Sequence, residues 1–229
     1  MLFSEKTLDF LVENRIRDDR NWYKENKPVF EKYVLAPLQE LVEKLTPTML
    51  DIDDQFICQP KIGRAISRIH RDTRFSKDKS VFRDHMWCTF RRNKNEYGRH
   101  LPEIFFEISP RGFSCGCGYY KTDPESLEAM RGMILNEDEV FKKAFRAVER
   151  QDVFYIYGEM YKRSKFPDAK EKYKTWLDRK SICLLHESQD FDLLFSEELA
   201  DWLGEKLKTL APVYKFFLKA ESHRIKDVR

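Results

Sequence analysis

The chain has 229 residues, of which 41% are hydrophobic and 14% aromatic, enough apolar material for a packed core and too much for an intrinsically disordered chain. Its 42 Lys and Arg nearly cancel 39 Asp and Glu, leaving a net charge of +3. Bulk charge therefore makes no case for nucleic acid, and any attraction for an anion must be local.

The N-terminal third reads as helical. Ser4 is placed to cap a first helix carrying Leu8, Leu11 and Val12 at i, i+3, i+4 spacing. A second helical region begins near Asp18 or Asp19 and carries Trp22, Tyr23, Val29, Phe30 and Tyr33. Pro37 starts a third segment, with Leu38, Leu41, Val42 and Leu45 as its apolar stripe and Pro47 as its predicted end.

The middle third changes period. Arg64 to His70 alternates loosely. His85 to Arg91 puts Met86, Cys88 and Phe90 on one face. Pro102 to Ser109 puts Ile104, Phe106 and Ile108 on one face. Pro110-Arg111-Gly112 is a turn signal, and Phe113 to Tyr120 returns as its hairpin partner.

The last third returns to helices. Asp123-Pro124 is a cap followed by Pro at the first helical position, leading a stripe of Leu127, Met130 and Ile134. Asn136 to Glu139 opens another helix with Val140, Phe141, Ala144, Phe145 and Val148. Lys180 to Leu185 is a fifth strand candidate, and Ser196 caps a helix running past Leu199, Trp202, Leu203, Leu207 and Leu210, interrupted at Pro212. The expected fold class is α+β: an antiparallel sheet of about four to six strands, with helices from both terminal thirds packed over it. With no repeat and no Gly/Ser linker, residues 1–229 are expected to form a single domain.

No apolar run approaches the roughly 20 residues that span a bilayer, and the N-terminus turns polar after three residues, so neither a membrane partner nor a secretory signal is expected. A cytoplasmic location follows as the expectation. Five cysteines at irregular spacing read as reduced thiols. No P-loop, dinucleotide-binding glycine loop, zincin motif or kinase signature is present, and no cofactor is expected. Composition leaves the oligomeric state open.

The most distinctive stretch is Ser67 to His85, in which six of nineteen residues are Arg or Lys and three are Asp. It lies between two expected strands and lacks a long apolar face. Around it the chain resembles the conserved hypothetical proteins known as domain of unknown function 2461. The likeness rests on Arg20-Asn21-Trp22-Tyr23 with Asn26-Lys27, on Pro37-Leu38 with Leu41-Val42, and above all on Arg68 to Lys79. Gly116-Cys117-Gly118-Tyr119, Leu127 with Arg131 and Ile134, and Trp176-Leu177 with Lys180-Ser181 extend it. His70, Val81-Phe82-Arg83 and Ser164 to Asp168 depart from the pattern. The resemblance implies a single-domain protein and supplies no activity, ligand or catalytic residue.

The residues themselves suggest an anion site. Arg71, Arg74, Lys77 and Lys79 would converge on phosphate or carboxylate, supported by Arg68 and Arg131, with Asp72 and Asp78 orienting the cations. The bland alternative is an ion-pair network of Arg68 with Asp72, Arg74 with Asp78 and neighbouring pairs, although exposed pairs contribute only ~0–1 kcal/mol each. A small anionic ligand is the first reading. A nucleic-acid module using Phe75 and Phe82 for stacking, and a non-catalytic protein-interaction domain, are the alternatives. His70 and His85 are general-base candidates. Cys115 and Cys117 share one strand face as core residues do, and no second ligand pair supports a metal.

Overall fold

Helix α1 (Glu5–Arg17) begins where the Ser4 amide donates to Thr7 Oγ1 at 3.2 Å. It ends at Asp18, whose left-handed φ of 48° stops the helix. Asp19 opens α2 (Arg20–Glu25), its Oδ1 accepting from the amides of Asn21 and Trp22 at 2.8 and 2.7 Å. A short α3 (Lys27–Phe30) and a π-helical turn (Glu31–Leu35) lead into α4 (Ala36–Ile52).

The computed structural model describes residues 2–93, 101–119 and 121–226. The rest of the expected hairpin partner, Tyr120, lies outside the described residues. Further along come β1 (Met86–Phe90), β2 (Glu103–Ser109), β3 (Gly112–Gly118), α5 (Pro124–Leu135), α6 (Glu139–Glu149) and β4 (Tyr155–Tyr157). They are followed by α7 (Glu171–Leu177), β5 (Cys183–Ser188), α8 (Phe191–Leu194), α9 (Leu199–Lys208) and α10 (Ala211–Lys226). The fold is α+β. Its five strands form one antiparallel sheet in the order β1-β2-β3-β5-β4, with Ile156 opposite Leu184 in the outermost pair.

Three expectations change. Pro47 does not end its helix: α4 continues to Ile52. A proline in a helix interior costs about 3 kcal/mol. Burying Met49 and Ile52 beyond it contributes about 1.5–3 kcal/mol each, enough to carry the helix through. The stretch from Arg64 to His70 forms no regular strand and makes single bridges, Ile66 with Cys88 and His70 with Phe82. The fifth strand starts at Cys183 rather than Lys180, and the short β4 was not anticipated.

The chain divides into two compact units. The first holds Met1–Phe90, Phe105–Cys115 and Glu187–Glu205. Its core combines the buried face of α4 (Leu38, Leu41, Val42, Leu45) with Met86, Cys88 and Phe90 of β1. Phe3 stacks on Phe106 with centroids 5.8 Å apart, and Trp202 meets Phe113 edge-on at 6.0 Å. At the β2–β3 turn Gly112 has φ +122°, and a Cβ there would lie 2.1 Å from the Ser188 carbonyl oxygen, so only glycine fits.

The second unit holds Arg91–Ile104, Gly116–His186 and Lys206–Arg229. Asp123 caps α5, accepting from the Ser126 amide at 2.9 Å, with Pro124 in the first turn as expected. Phe141 is the hub of the core, with Tyr173, Trp176 and Phe216 at 5.0, 5.6 and 5.3 Å. The Arg179 guanidinium donates to the carbonyl oxygens of Ile156 and Gly158, within and just beyond β4.

Candidate functional site

The charged segment is the tip of an irregular two-limbed ribbon in the first unit. Residues 65–71 form one limb and 81–89 the other. Ser67 N donates to Trp87 O at 2.9 Å and Thr89 N to Ala65 O at 2.8 Å. Nearer the tip, Arg83 N donates to Ile69 O and Arg71 N to Val81 O. Between the Ser67–Trp87 and Ile69–Arg83 pairs, only Arg68 lies on the first limb. Asp84, His85 and Met86 lie on the second. The mismatch is a bulge, the kind of irregularity that re-aims side chains. Asp18, just past α1, ties down the second limb: its Oδ1 accepts from the amides of Val81 and Phe82 at 2.8 and 3.0 Å.

The tip loop, residues 72–80, is organised by its own side chains. Arg74 grips Asp72 with two parallel bonds, Nε to Oδ1 at 2.9 Å and Nη2 to Oδ2 at 2.6 Å. Hydrogen bonds from the Arg74 side chain and amide lower the Asp72 pKa to about 2. The Lys79 ammonium donates to Thr73 O at 2.9 Å and closes the loop. Asp78 Oδ1 accepts from the amide and hydroxyl of Ser80, and these bonds, together with Arg71, hold its carboxyl well below the usual range.

The other oxygen of Asp78 is shared by two arginines. Arg71 Nη1, from the first limb, donates to Oδ2, as does Arg15 Nη2 from the last turn of α1 at 2.9 Å. Arg71 also reaches the hydroxyls of Ser80 and Ser76 at 3.2 and 3.3 Å. Two guanidiniums on one carboxylate leave a positive charge. Arg68 and Lys77 are exposed and have no hydrogen-bond or ion-pair partner among the described residues.

The two phenylalanines part company. Phe82 is fully buried, packed against Tyr23 at 5.1 Å and His70 at 4.8 Å. Phe75 is 96% exposed, with only the Arg74 guanidinium over its ring at 5.8 Å. Burial, and then the charge of Arg20, lower the His70 pKa, so this imidazole is neutral at physiological pH.

Arg131 belongs to the second unit and does not snorkel to water. Its side chain is 7% exposed. Nε donates to Leu177 O at 3.2 Å, Nη2 to Arg179 O at 2.8 Å, and Nη1 to the Glu128 carboxylate. These contacts pin the turn after α7 to α5. The Tyr161 hydroxyl accepts a further bond at 3.4 Å, and that bond lowers the Tyr161 pKa.

A family model described as Conserved hypothetical protein (DUF2461) matches residues 6–216. The chain belongs to this family. No curated protein and no solved structure matches it. The residues that carry the likeness fall in both units: the ribbon tip in the first, and Arg131, Trp176 and Leu177 in the second.

Two arrangements escaped the sequence reading. Arg15 sits 63 residues before Asp78, and only its place in the last turn of α1 hinted at a role. The bulge sets a second polar cluster beside β2. His85 Nδ1 lies 2.7 Å from Asp84 Oδ1, and Arg111 Nη1 donates to Asp84 Oδ2 at 3.4 Å. His85 stacks on Trp87, and Arg83 lies over the same ring at 4.8 Å. Cys115 and Cys117 are buried, and desolvation raises both thiols. Among the described residues no group of three or more His, Cys, Asp or Glu is arranged to hold a metal. No helix among the described residues is long and apolar enough to cross a membrane.

Proposed function

We propose that the protein binds a small phosphate- or carboxylate-bearing ligand at the ribbon tip, with Arg15 and Arg71 as its main contacts. The supporting observation is the sharing of one Asp78 oxygen by both guanidiniums, which fixes two planar donor groups side by side with charge to spare. Asp78 orients these cations and does not neutralise both. The Ser76 and Ser80 hydroxyls add neutral donors and Lys77 supplies mobile charge beside them, whereas Lys79 is held by Thr73 O and the Arg68 guanidinium lies by Gly63. Arg74 is committed to Asp72 and serves the shape of the loop. Arg131, bound to carbonyls in the second unit, serves that unit's architecture in this reading.

Titration with inorganic phosphate, pyrophosphate, citrate and nucleoside monophosphates tests the proposal, read by calorimetry or amide shifts. Arg15→Ala with Arg71→Ala should weaken binding of the best of these at least tenfold. Unchanged affinity in the double variant, or no binding of any of the four at millimolar concentration, overturns it.

One observation favours a second reading. An exposed Phe75 beside Arg74 and Lys77 suits base stacking on a single-stranded nucleic acid. Its affinity for an oligothymidylate should fall steeply with salt and by about tenfold in Phe75→Ala. A flat salt response removes it.

A further inference from the structure

The outer face of the sheet in the first unit carries a cleft of about 460 Å³ that the ribbon tip does not line. Glu107 and Ser109 of β2, Arg111 in the turn, Gly112 and Ser114 of β3, and Glu187 of β5 form its walls. Its lining carries both signs of charge, Glu107 and Glu187 against Arg111. Glu107 is half-buried and has no hydrogen-bond or ion-pair partner among the described residues. Arg111 is anchored to Asp84, itself held by His85. That anchor exists because the ribbon bulge brings Asp84 and His85 to this edge. Gly112 lets the Ser188 carbonyl close against β3 at the cleft.

We infer that this cleft is a second ligand site, for a small zwitterion whose ammonium group pairs with Glu107 and whose carboxylate pairs with Arg111. A half-buried carboxylate without a partner is stabilised by whatever cation or proton reaches it. Burial raises the Glu107 pKa, while His85, Arg111 and Arg83 lower it and Asp84 raises it. None of these groups is hydrogen-bonded to Glu107, so its carboxylate is open to an ammonium ion entering the cleft. Arg111 is 72% exposed and makes one weak bond, leaving its remaining donors open to a carboxylate. A ligand with both charges satisfies both walls, whereas a single charge satisfies one.

The test is amide-shift titration of the full chain with glycine, β-alanine and γ-aminobutyrate, with ethylammonium and acetate as single-charge probes. At least one zwitterion should bind ten times more tightly than either single-charge probe, with shifts centred on residues 107–114 and 187–189. Glu107→Gln and Arg111→Met should each abolish that advantage. The exposed Arg111 is the safer variant for folding. The Arg15→Ala, Arg71→Ala protein should bind the zwitterion as the parent does, which separates this site from the ribbon tip. Equal affinity for acetate and the zwitterions, or retention of the advantage in Arg111→Met, overturns the inference.

Discussion

Asp18 and Phe82 are 64 residues apart, yet one carboxylate oxygen of Asp18 takes the Phe82 amide at 3.0 Å and its neighbour's at 2.8 Å. The same residue ends α1 in a left-handed conformation. A single side chain thus stops a helix and seats the ribbon whose tip carries the charged loop. Asp18→Ala removes two charge-assisted bonds and leaves an alanine at positive φ, for an expected loss of about 2–4 kcal/mol. Asp18→Asn keeps an acceptor and tolerates the backbone, so it should lose about 1 kcal/mol or less. Urea denaturation of the two variants checks the order.

Asp78 should behave differently. It is 46% exposed and Arg15 is 31% exposed, so the pair is partly screened. Asp78→Ala should leave global stability nearly unchanged. Its local effect should be larger: the Ser80 amide, which donates to Asp78 at 2.9 Å, should lose protection from hydrogen exchange. Equal protection in parent and variant would show that the loop does not depend on this carboxylate.

Acid should dissolve the loop's ion pairs late. The folded-state pKa of Asp72 is lowered to about 2, and that of Asp78 is lowered as well, whereas an unfolded aspartate titrates near 3.9. A depressed acid pKa contributes stability that is full above the unfolded value and lost as pH falls through the folded one. Carboxyl resonances of both residues should stay ionised at pH 3.5, and loop amide shifts should change only below about pH 3. Glu107 has the opposite sign. Its raised pKa favours the folded state at low pH and disfavours it as pH rises through that value. Arg83, Asp84, His85 and Arg111 surround it, with Glu187 across the cleft. Glu107→Gln should therefore raise Tm at pH 8 and leave it nearly unchanged at pH 4.

Gly112→Ala should be among the most damaging single changes in the first unit. The new Cβ would sit 2.1 Å from the Ser188 carbonyl oxygen, at a φ that alanine avoids. The expected loss is about 3 kcal/mol or more, visible as a Tm drop of at least ~6 °C. A near-parental Tm would mean that residues 188–189 yield easily.

Asn14 offers a gain. It is fully buried in α1, and its side-chain oxygen and nitrogen both lack hydrogen-bond partners among the described residues. A buried polar group left unsatisfied costs about 1–3 kcal/mol. Asn14→Leu has a similar shape and no polar atoms, so Tm should rise by about 2 °C or more. A fall would show that the site excludes a leucine.

Much of the architecture was legible in the sequence because the signals were periodic and local. Leu38, Leu41, Val42 and Leu45 marked the buried face of α4, Ile104, Phe106 and Ile108 that of β2, and Asp123-Pro124 the start of α5. What escaped was non-local. Pro47 reads as a stop until Met49 and Ile52 are seen to be buried beyond it. Residues 155–157 are too short, and Tyr155 and Tyr157 too exposed, to alternate recognisably. Within the charged loop, Arg74 takes Asp72, two residues away, rather than the expected Asp78. The Arg15–Asp78 bond joins distant segments, and no spacing rule reaches it. Phe75 and Phe82 look alike in sequence, and only the ribbon's register decides that one is core and the other surface.

The Arg179 contacts bear on how the protein behaves at high concentration. The last strand of a sheet offers unpaired acceptors on which a second chain can build. Here the carbonyls of Ile156 and Gly158 already receive the two arms of one guanidinium. Tyr155, Tyr157 and Met160 are exposed nearby and would otherwise make this margin adhesive. These bonds occupy two carbonyls of the edge strand, and a preparation carrying Arg179→Ala should form fibrillar or amorphous aggregates on heating before the parent does.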